Sequence, residues 1–173
     1  MKPLLVVVDM QKDFISGSLG TQEAQAIVPA VIRRIRVFPG DVVYTRDTHG
    51  EDYLSTQEGK HLPVVHCVQG TSGWEIQSEV LAAGAGKTAG IIDKPTFGSQ
   101  ELCRFAAAGE YDSIELIGLC TDICVISNAL CLKSVLWETP IEVRPSCCAG
   151  VTPESHANAL AALRMCQIDV LDD

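Results

Sequence analysis

Residues 4–9 read Leu-Leu-Val-Val-Val-Asp, a short aliphatic run that ends at an acid. Such a run indicates a buried strand, because branched aliphatic side chains suit the packed surface of a sheet. Similar runs recur along the chain, and longer segments of helical period separate them. The predicted strands are residues 4–8, 41–45, 88–92, 113–117, 141–144 and 168–171, and the predicted helices are 22–37, 73–83, 99–107, 122–137 and 153–166.

This alternation predicts an α/β fold: a doubly wound, six-stranded, mainly parallel sheet with helices on both faces, of Rossmann-like type. The chain has 173 residues, and no repeat or linker divides it, so 1–173 is predicted to be one domain. Thr152 before Pro153 predicts the start of the last helix. Residues 46–71 lack a clear period and are predicted to be a long loop over one end of the sheet, and such loops are usually functional.

Charge and hydropathy exclude several classes of partner. A net charge of −9 argues against nucleic acid or an anionic membrane surface, because phosphate binding needs clustered lysine and arginine. The apolar run before Asp9 is too short for a secretory signal, and no run approaches the ~20 residues that span a bilayer. We therefore expect a cytoplasmic protein whose eight cysteines are reduced thiols.

Reactive side chains follow the predicted strands. Ligands of an open parallel sheet bind beyond the carboxyl ends of its strands. Asp9 follows the first strand, Asp47 the second, Lys94 the third and residues 118–124 the fourth. We expect these two acids, a lysine and a cysteine to meet at one rim.

Cys124 is the candidate nucleophile. It falls in the first turn of a predicted helix that Thr121 or Asp122 could cap, and the helix dipole there would lower the pKa of the thiol. Attack on an amide also needs a proton carrier and donors for the oxyanion. Asp9 could carry the proton, Lys94 could stabilise the thiolate, and backbone N–H groups of residues 120–124 could bind the oxyanion.

Three segments resemble the signature segments of the isochorismatase-like cysteine hydrolases, in the family's order. They are Val-Val-Asp-Met-Gln-Lys-Asp-Phe at 7–14, Asp-Lys-Pro-Thr-Phe-Gly-Ser at 93–99 and Gly-Leu-Cys-Thr-Asp-Ile-Cys-Val at 118–125. The resemblance covers essentially the whole chain.

The resemblance implies a catalytic triad of Asp9, Lys94 and Cys124. It also implies a non-proline cis peptide bond between Leu119 and Cys120, which would direct the Cys120 and Cys124 amides at the oxyanion.

The long loop contains a candidate metal site. Carboxylate and imidazole ligands suit a divalent metal, with zinc favoured and manganese or iron as alternatives. Asp-Thr-His at 47–49 and His-Cys-Val-Gln-Gly-Thr at 66–71 resemble the metal segments of the family's nicotinamidase-type members. Glu58 matches a fourth ligand of some members, and His61 is an alternative to it. The predicted ligands are Asp47, His49, Glu58 and His66.

This resemblance implies hydrolysis of nicotinamide to nicotinate and ammonia through a thioester, by a homodimer or homotetramer. The chain departs from many such members, because Thr48 replaces a tryptophan and Gly-Glu-Asp-Tyr stands at 50–53. Among the aromatic residues that could line the ring pocket, we favour Phe14 and Phe97 over Tyr53 and Trp74, since the first two flank triad residues.

Two other functions stay open: a metal-free amidase acting on a ureido or carbamoyl substrate, and a catalytically silent binding protein on the same fold. Isochorismate hydrolysis is disfavoured, because members with that activity generally do not depend on a cysteine. We expect Cys147 and Cys148 to border the pocket and His156 to lie on the surface.

Overall fold

The computed structural model describes residues 1–171, which form a six-stranded sheet in the order β3-β2-β1-β4-β5-β6. Every neighbouring pair of strands is parallel. The predicted doubly wound α/β fold is therefore confirmed. The strands are β1 (Pro3–Val8), β2 (Asp41–Asp47), β3 (Thr88–Lys94), β4 (Ser113–Leu119), β5 (Ile141–Ala149) and β6 (Asp169–Val170).

Helices cover both faces of the sheet. One face packs against α2 and α4, and the other packs against α5, α6 and α7, so each face has its own apolar core. Both faces of the central strands are therefore buried, which explains their nearly continuous aliphatic sequences. The helices are α1 (Lys12–Ile15), α2 (Gln22–Val37), α3 (Gln57–His61), α4 (Ser78–Ala83), α5 (Gln100–Gly109), α6 (Ile126–Val135) and α7 (Pro153–Met165).

Strand β1 lies at the centre and pairs with β2 on one side and β4 on the other. The strand order reverses there, so the crevice beyond β1 and β4 is where this fold binds ligands. At the end of β4, Gly118 has a φ of +118° and sits opposite Val8. A Cβ at Gly118 would lie 2.1 Å from the Val8 carbonyl oxygen, so only glycine lets the two strands approach this closely.

Several predicted element bounds are wrong. The helix predicted over 73–83 begins only at Ser78, and the helix predicted over 122–137 begins as a π-helical turn, Thr121–Val125, before α6. The predicted loop over 46–71 contains a 3₁₀ turn, Tyr53–Ser55, and α3. These short helices follow local capping, such as the Gly59 N–H bonded to the Thr56 hydroxyl, and no apolar period marks them.

Thr152 caps α7 as predicted: its side chain accepts from the Ser155 N–H, and Ser155 bonds back to the Thr152 N–H. The eight cysteines are thiols outside any disulfide bond, and five of them are buried. No helix within residues 1–171 combines the length and apolar character needed to cross a bilayer.

Candidate active site

Asp9, Lys94 and Cys124 meet beyond the carboxyl ends of β1, β3 and β4. Lys94 Nζ lies 2.6 Å from Asp9 Oδ2 and 3.4 Å from Cys124 Sγ. All three residues are buried. The structure thus brings together the three side chains that the sequence assigned to one rim. A carboxyl group, an ammonium group and a thiol therefore share a buried site.

Asp9 occupies an unusual backbone conformation immediately after β1, with a φ of +47°. Its N–H donates to the Thr45 carbonyl oxygen at 3.2 Å, and its Oδ1 accepts from the Thr45 hydroxyl at 2.6 Å. These bonds hold a non-glycine residue in the left-handed region, which is a strained conformation typical of functional sites.

Cys124 lies inside the π-helical turn, and the peptide bond before this turn, Leu119–Cys120, is cis. Asn128 anchors the turn from α6: its side-chain amide donates to the Cys124 carbonyl at 2.8 Å and to the Phe97 carbonyl at 3.0 Å. The turn that carries Cys124 is therefore tied to the segment that follows Lys94.

The predicted caps of this helix are wrong. The Thr121 hydroxyl lies 2.7 Å from His156 Nδ1, and the Asp122 carboxylate accepts from the Val151 N–H at 3.0 Å. Cys120 is the N-terminal flanking residue, and its side chain makes no capping bond. His156, expected on the surface, is half-buried and joins α7 to the turn.

The expected lowering of the Cys124 pKa is also wrong. Burial raises the pKa of the thiol well above its ordinary value, the Asp9 carboxylate raises it further, and Lys94 opposes both. Burial also raises the pKa of Asp9, which Lys94 partly offsets. For Lys94, burial favours the neutral amine, but the negative charges around it raise its pKa overall. The raised pKa favours the protonated thiol form of Cys124.

Asp47, His49, Glu58 and His66 form a second cluster beside the first. Their ligand atoms all lie within 4.8 Å of one another. Asp47 Oδ2 is 2.9 Å from His49 Nε2 and 3.4 Å from His66 Nε2, and Glu58 Oε1 is 3.6 Å from both nitrogens. A tetrahedral ion with bonds of roughly 2.0–2.1 Å needs ligand atoms roughly 3.3 Å apart, so this donor set fits a divalent metal.

The surroundings of the cluster orient its ligands. His66 Nδ1 lies 2.7 Å from the Val64 carbonyl, which leaves Nε2 free to face a metal. The buried Tyr53 ring packs 4.7 Å from His49 and 4.9 Å from His66, and its hydroxyl donates to Leu62. Tyr53 therefore supports the two imidazoles and is not a wall of the pocket.

Asp47 joins the two clusters. Its Oδ2 faces the imidazoles, and its Oδ1 lies 3.5 Å from Lys94 Nζ. Burial favours the protonated form of Asp47, but hydrogen bonds from His49 and His66 and the charge of Lys94 hold its pKa below the ordinary value. Asp47 thus remains a carboxylate, the form in which it can bind a metal.

Two residues of the segment 7–14 support this loop, and the sequence reasoning missed them. Gln11 is fully buried: its amide N–H₂ donates to the carbonyls of Asp47 and Trp74, and its amide oxygen accepts from the Asp47 N–H. Asp13 accepts from the N–H of Cys67, the residue after His66. The sequence could have indicated them, because both belong to the segment 7–14 that resembles a signature segment of the family.

One cavity, of about 230 Å³, opens onto both clusters. Its lining includes the predicted Phe14 and Phe97 but neither Tyr53 nor Trp74, whose indole N–H bonds to the Thr48 hydroxyl. Four aliphatic side chains that the sequence did not single out complete the apolar wall. The lining residues are Phe14, Leu19, Thr21, Asp47, Glu58, Leu62, His66, Phe97, Cys120, Ile123, Cys124 and Val151.

Three further candidates lie outside this cavity. His61 is exposed and bonds to the Gln57 carbonyl, so Glu58 and not His61 joins the cluster. Cys147 and Cys148 are buried within β5, which extends five residues beyond its predicted end, and neither lines the cavity.

Comparisons with known proteins find relatives that match this chain over nearly its whole length. The nicotinamidase of Saccharomyces cerevisiae is 22% identical over 213 residues, covering 97% of this chain and 98% of that protein. The pyrazinamidase of Pyrococcus horikoshii, solved in complex with zinc, is 27% identical, with 100% of both chains covered and a TM-score of 0.84. The N-carbamoylsarcosine amidase of Thermoplasma acidophilum is 29% identical, with 98% of this chain and 95% of that chain covered and a TM-score of 0.76.

A family model described as the isochorismatase domain matches residues 3–172, nearly the entire chain. The match confirms the family indicated by the three sequence motifs. The chain belongs to the isochorismatase family.

Proposed function

We propose that this protein is a metal-assisted cysteine amidohydrolase that converts nicotinamide and water to nicotinate and ammonia. One observation carries the proposal: a single cavity exposes Cys124 together with the ligand residues Asp47, Glu58 and His66. An aromatic carboxamide with a ring nitrogen could therefore bind at the metal site and present its carboxamide to the thiol. The nicotinamidase and pyrazinamidase relatives support this choice of substrate.

The proposed reaction begins with a proton transfer. Asp9 takes the Cys124 proton, and the resulting thiolate, which Lys94 stabilises, attacks the carboxamide carbon. Backbone N–H groups of Cys120 and Cys124 bind the oxyanion of the tetrahedral intermediate. Asp9 then protonates the departing amine. Ammonia is released, and a thioester remains on Cys124.

Water completes the turnover. The Asp9 carboxylate, now deprotonated, accepts a proton from a water molecule that attacks the thioester carbonyl. The C–S bond breaks, the proton on Asp9 returns to the Cys124 sulfur, and the product leaves as nicotinic acid, which loses its carboxyl proton to solvent or ammonia to give nicotinate. The buried ammonium of Lys94 keeps a positive charge beside each anionic group in turn.

Asp47, His49, Glu58 and His66 would hold the metal, which we propose to be zinc. Bound there, the ion supplies a Lewis acid for a ring nitrogen or a water molecule. The apolar wall of Phe14 and Phe97 would hold the flat ring, so that the reacting carbon is placed by contacts remote from it.

A second candidate is an amidase that cleaves a carbamoyl substrate without metal, favoured by the N-carbamoylsarcosine amidase relative. The preorganised ligand cluster favours the first candidate, because metal-free hydrolysis gives no reason to gather two imidazoles and two carboxylates.

Ammonia release tests both functions. Zinc-loaded protein is incubated with nicotinamide, pyrazinamide and a panel of ureido compounds. We expect turnover of the first two, no turnover by Cys124→Ala, and a raised KM for nicotinamide with a smaller change in kcat for His49→Ala. Turnover of ureido compounds alone would favour the second candidate, and undiminished release by Cys124→Ala would exclude the thioester.

We also propose that the protein is cytoplasmic, in keeping with thiols that form no disulfide bond. We further propose that it is a homodimer or homotetramer. Light scattering coupled to gel filtration would give the oligomer order, and a single-chain mass would contradict the proposal.

A further inference from the structure

Thr45 makes an unusually complete contact with Asp9. Its hydroxyl donates to Asp9 Oδ1 at 2.6 Å and accepts from the Asp9 N–H at 3.3 Å. The same N–H also reaches the Thr45 carbonyl at 3.2 Å. Both residues are fully buried. The Thr45 hydroxyl thus bonds to both the backbone and the side chain of one neighbour.

We propose that Thr45 is a positioning residue that fixes the rotation of the Asp9 carboxylate, so that one oxygen stays directed at Lys94 and Cys124. The inference rests on the proposed reaction, in which Asp9 carries the proton. A carboxylate attached through one bond can rotate until its oxygens exchange places. The Thr45 hydroxyl holds Oδ1, and Oδ2 is thereby left facing Lys94 at 2.6 Å.

Lys94 alone would not fix this orientation. Its ammonium lies 2.6 Å from Asp9 Oδ2, donates to the Thr96 carbonyl at 3.1 Å, and also lies within 3.5 Å of Asp47 and Cys124, so it is shared among three acidic groups. An ammonium is a compact charge that imposes little direction. Thr45 provides a second, directional anchor on the other oxygen, from a fully buried position in β2.

Substitutions at Thr45 can separate its hydroxyl from its methyl group. Thr45→Val keeps the shape and removes the hydroxyl, whereas Thr45→Ser keeps the hydroxyl and removes the methyl. Thr88→Val is the control for loss of a threonine hydroxyl, because Thr88 donates to the Gly84 carbonyl and lies at the opposite end of β3 from Lys94. Thermal unfolding and zinc content are recorded for each variant.

With nicotinamide as substrate, we expect Thr45→Val to lower kcat by about 10- to 100-fold, less than the ~10²–10⁴-fold contribution of a positioned general base. KM should change by less than about threefold, because the residue touches no substrate. Thr45→Ser should recover most of the lost kcat, and Thr88→Val should match the wild type. Wild-type kcat in Thr45→Val, or an equal loss in Thr45→Ser, would overturn the proposal.

A second pair of variants and a measurement that needs no substrate also test the role of Thr45. If Thr45→Val does not fold, Thr45→Ala is compared with Thr45→Ser, since these two differ by the hydroxyl alone. The rate of Cys124 alkylation by iodoacetamide, followed by peptide mass mapping, needs no substrate and therefore tests Thr45 even if nicotinamide is not hydrolysed. We expect slower alkylation without the hydroxyl, and an unchanged or faster rate would contradict the proposal.

Discussion

The Lys94 ammonium lies 2.6 Å from Asp9 Oδ2, and neither side chain is exposed to solvent. A buried ion pair of this kind requires both partners, because removal of one leaves an uncompensated charge in a medium that solvates it poorly. The contact that would serve proton transfer is therefore also one whose disruption should lower the stability of the fold.

Lys94→Met should lower the free energy of unfolding by about 3–5 kcal/mol, the usual cost of leaving a buried charge unpaired. The double variant Asp9→Asn/Lys94→Met should be more stable than Lys94→Met, since the unpaired carboxylate is gone. Urea unfolding measures both, and equal stabilities of the single and double variants would show that the two charges do not interact.

Substitution of a histidine in the metal cluster should lower zinc affinity far more than substitution of the nearby exposed histidine. His66→Ala should weaken zinc binding by more than about 100-fold, beyond the ~10- to 100-fold cost of losing an outer-shell partner. His61→Ala is the control, because His61 lies outside the cluster. Competition with a chromophoric chelator gives the affinities, and equal zinc affinities of the two variants would exclude the assigned ligand set.

Gln11 should influence zinc affinity although it is not one of the proposed metal ligands. Gln11→Leu removes both hydrogen bonds to the Asp47 backbone, so we expect zinc affinity to fall by about 10- to 100-fold. Gln25→Leu, on the exposed side of α2, controls for the change in side-chain chemistry. Wild-type zinc affinity in Gln11→Leu would mean that other contacts suffice to place Asp47.

A buried carboxylate far from the site should govern acid stability. Burial alone would raise the pKa of Glu115, but the guanidinium groups of Arg34 and Arg144 outweigh it and hold that pKa below the ordinary 4.5. A lowered pKa in the folded state stabilises the protein above about pH 4.5, and this contribution is lost as the pH falls through the folded-state pKa.

Glu115→Gln should therefore cost about 2 kcal/mol of unfolding free energy at pH 7, and the difference from wild type should shrink below pH 4.5. Urea unfolding across this pH range checks the prediction. A difference that stays constant with pH would show that the ionisation of Glu115 is not involved.

The sequence predicted those parts of the candidate site that lie at the ends of strands. Asp9 and Lys94 stand at the ends of aliphatic runs, and parallel strands bring such ends to one edge whatever the details of packing. The family match confirmed the motifs that contain them.

The sequence could not predict the role of Thr45. Strand β2 is buried on both faces, so its residues show no alternation that would tell which side chain faces Asp9. The contact of Gln11 with Trp74 joins residues far apart along the chain, and local patterns carry no such information. The π-helical turn at Cys124 was missed because its apolar residues have no period that distinguishes it from an α-helix.

The strand order has a consequence for synthesis. β1 emerges early, but its neighbour β4 comes more than a hundred residues later in sequence, after β2 and β3. Until then one side of β1 carries unpaired peptide groups, which invite association with other nascent chains. Insertion of β4 closes that side and brings Cys124 to Asp9 and Lys94, so a ribosome-bound fragment lacking β4 would expose an unpaired strand edge and lack the assembled candidate site.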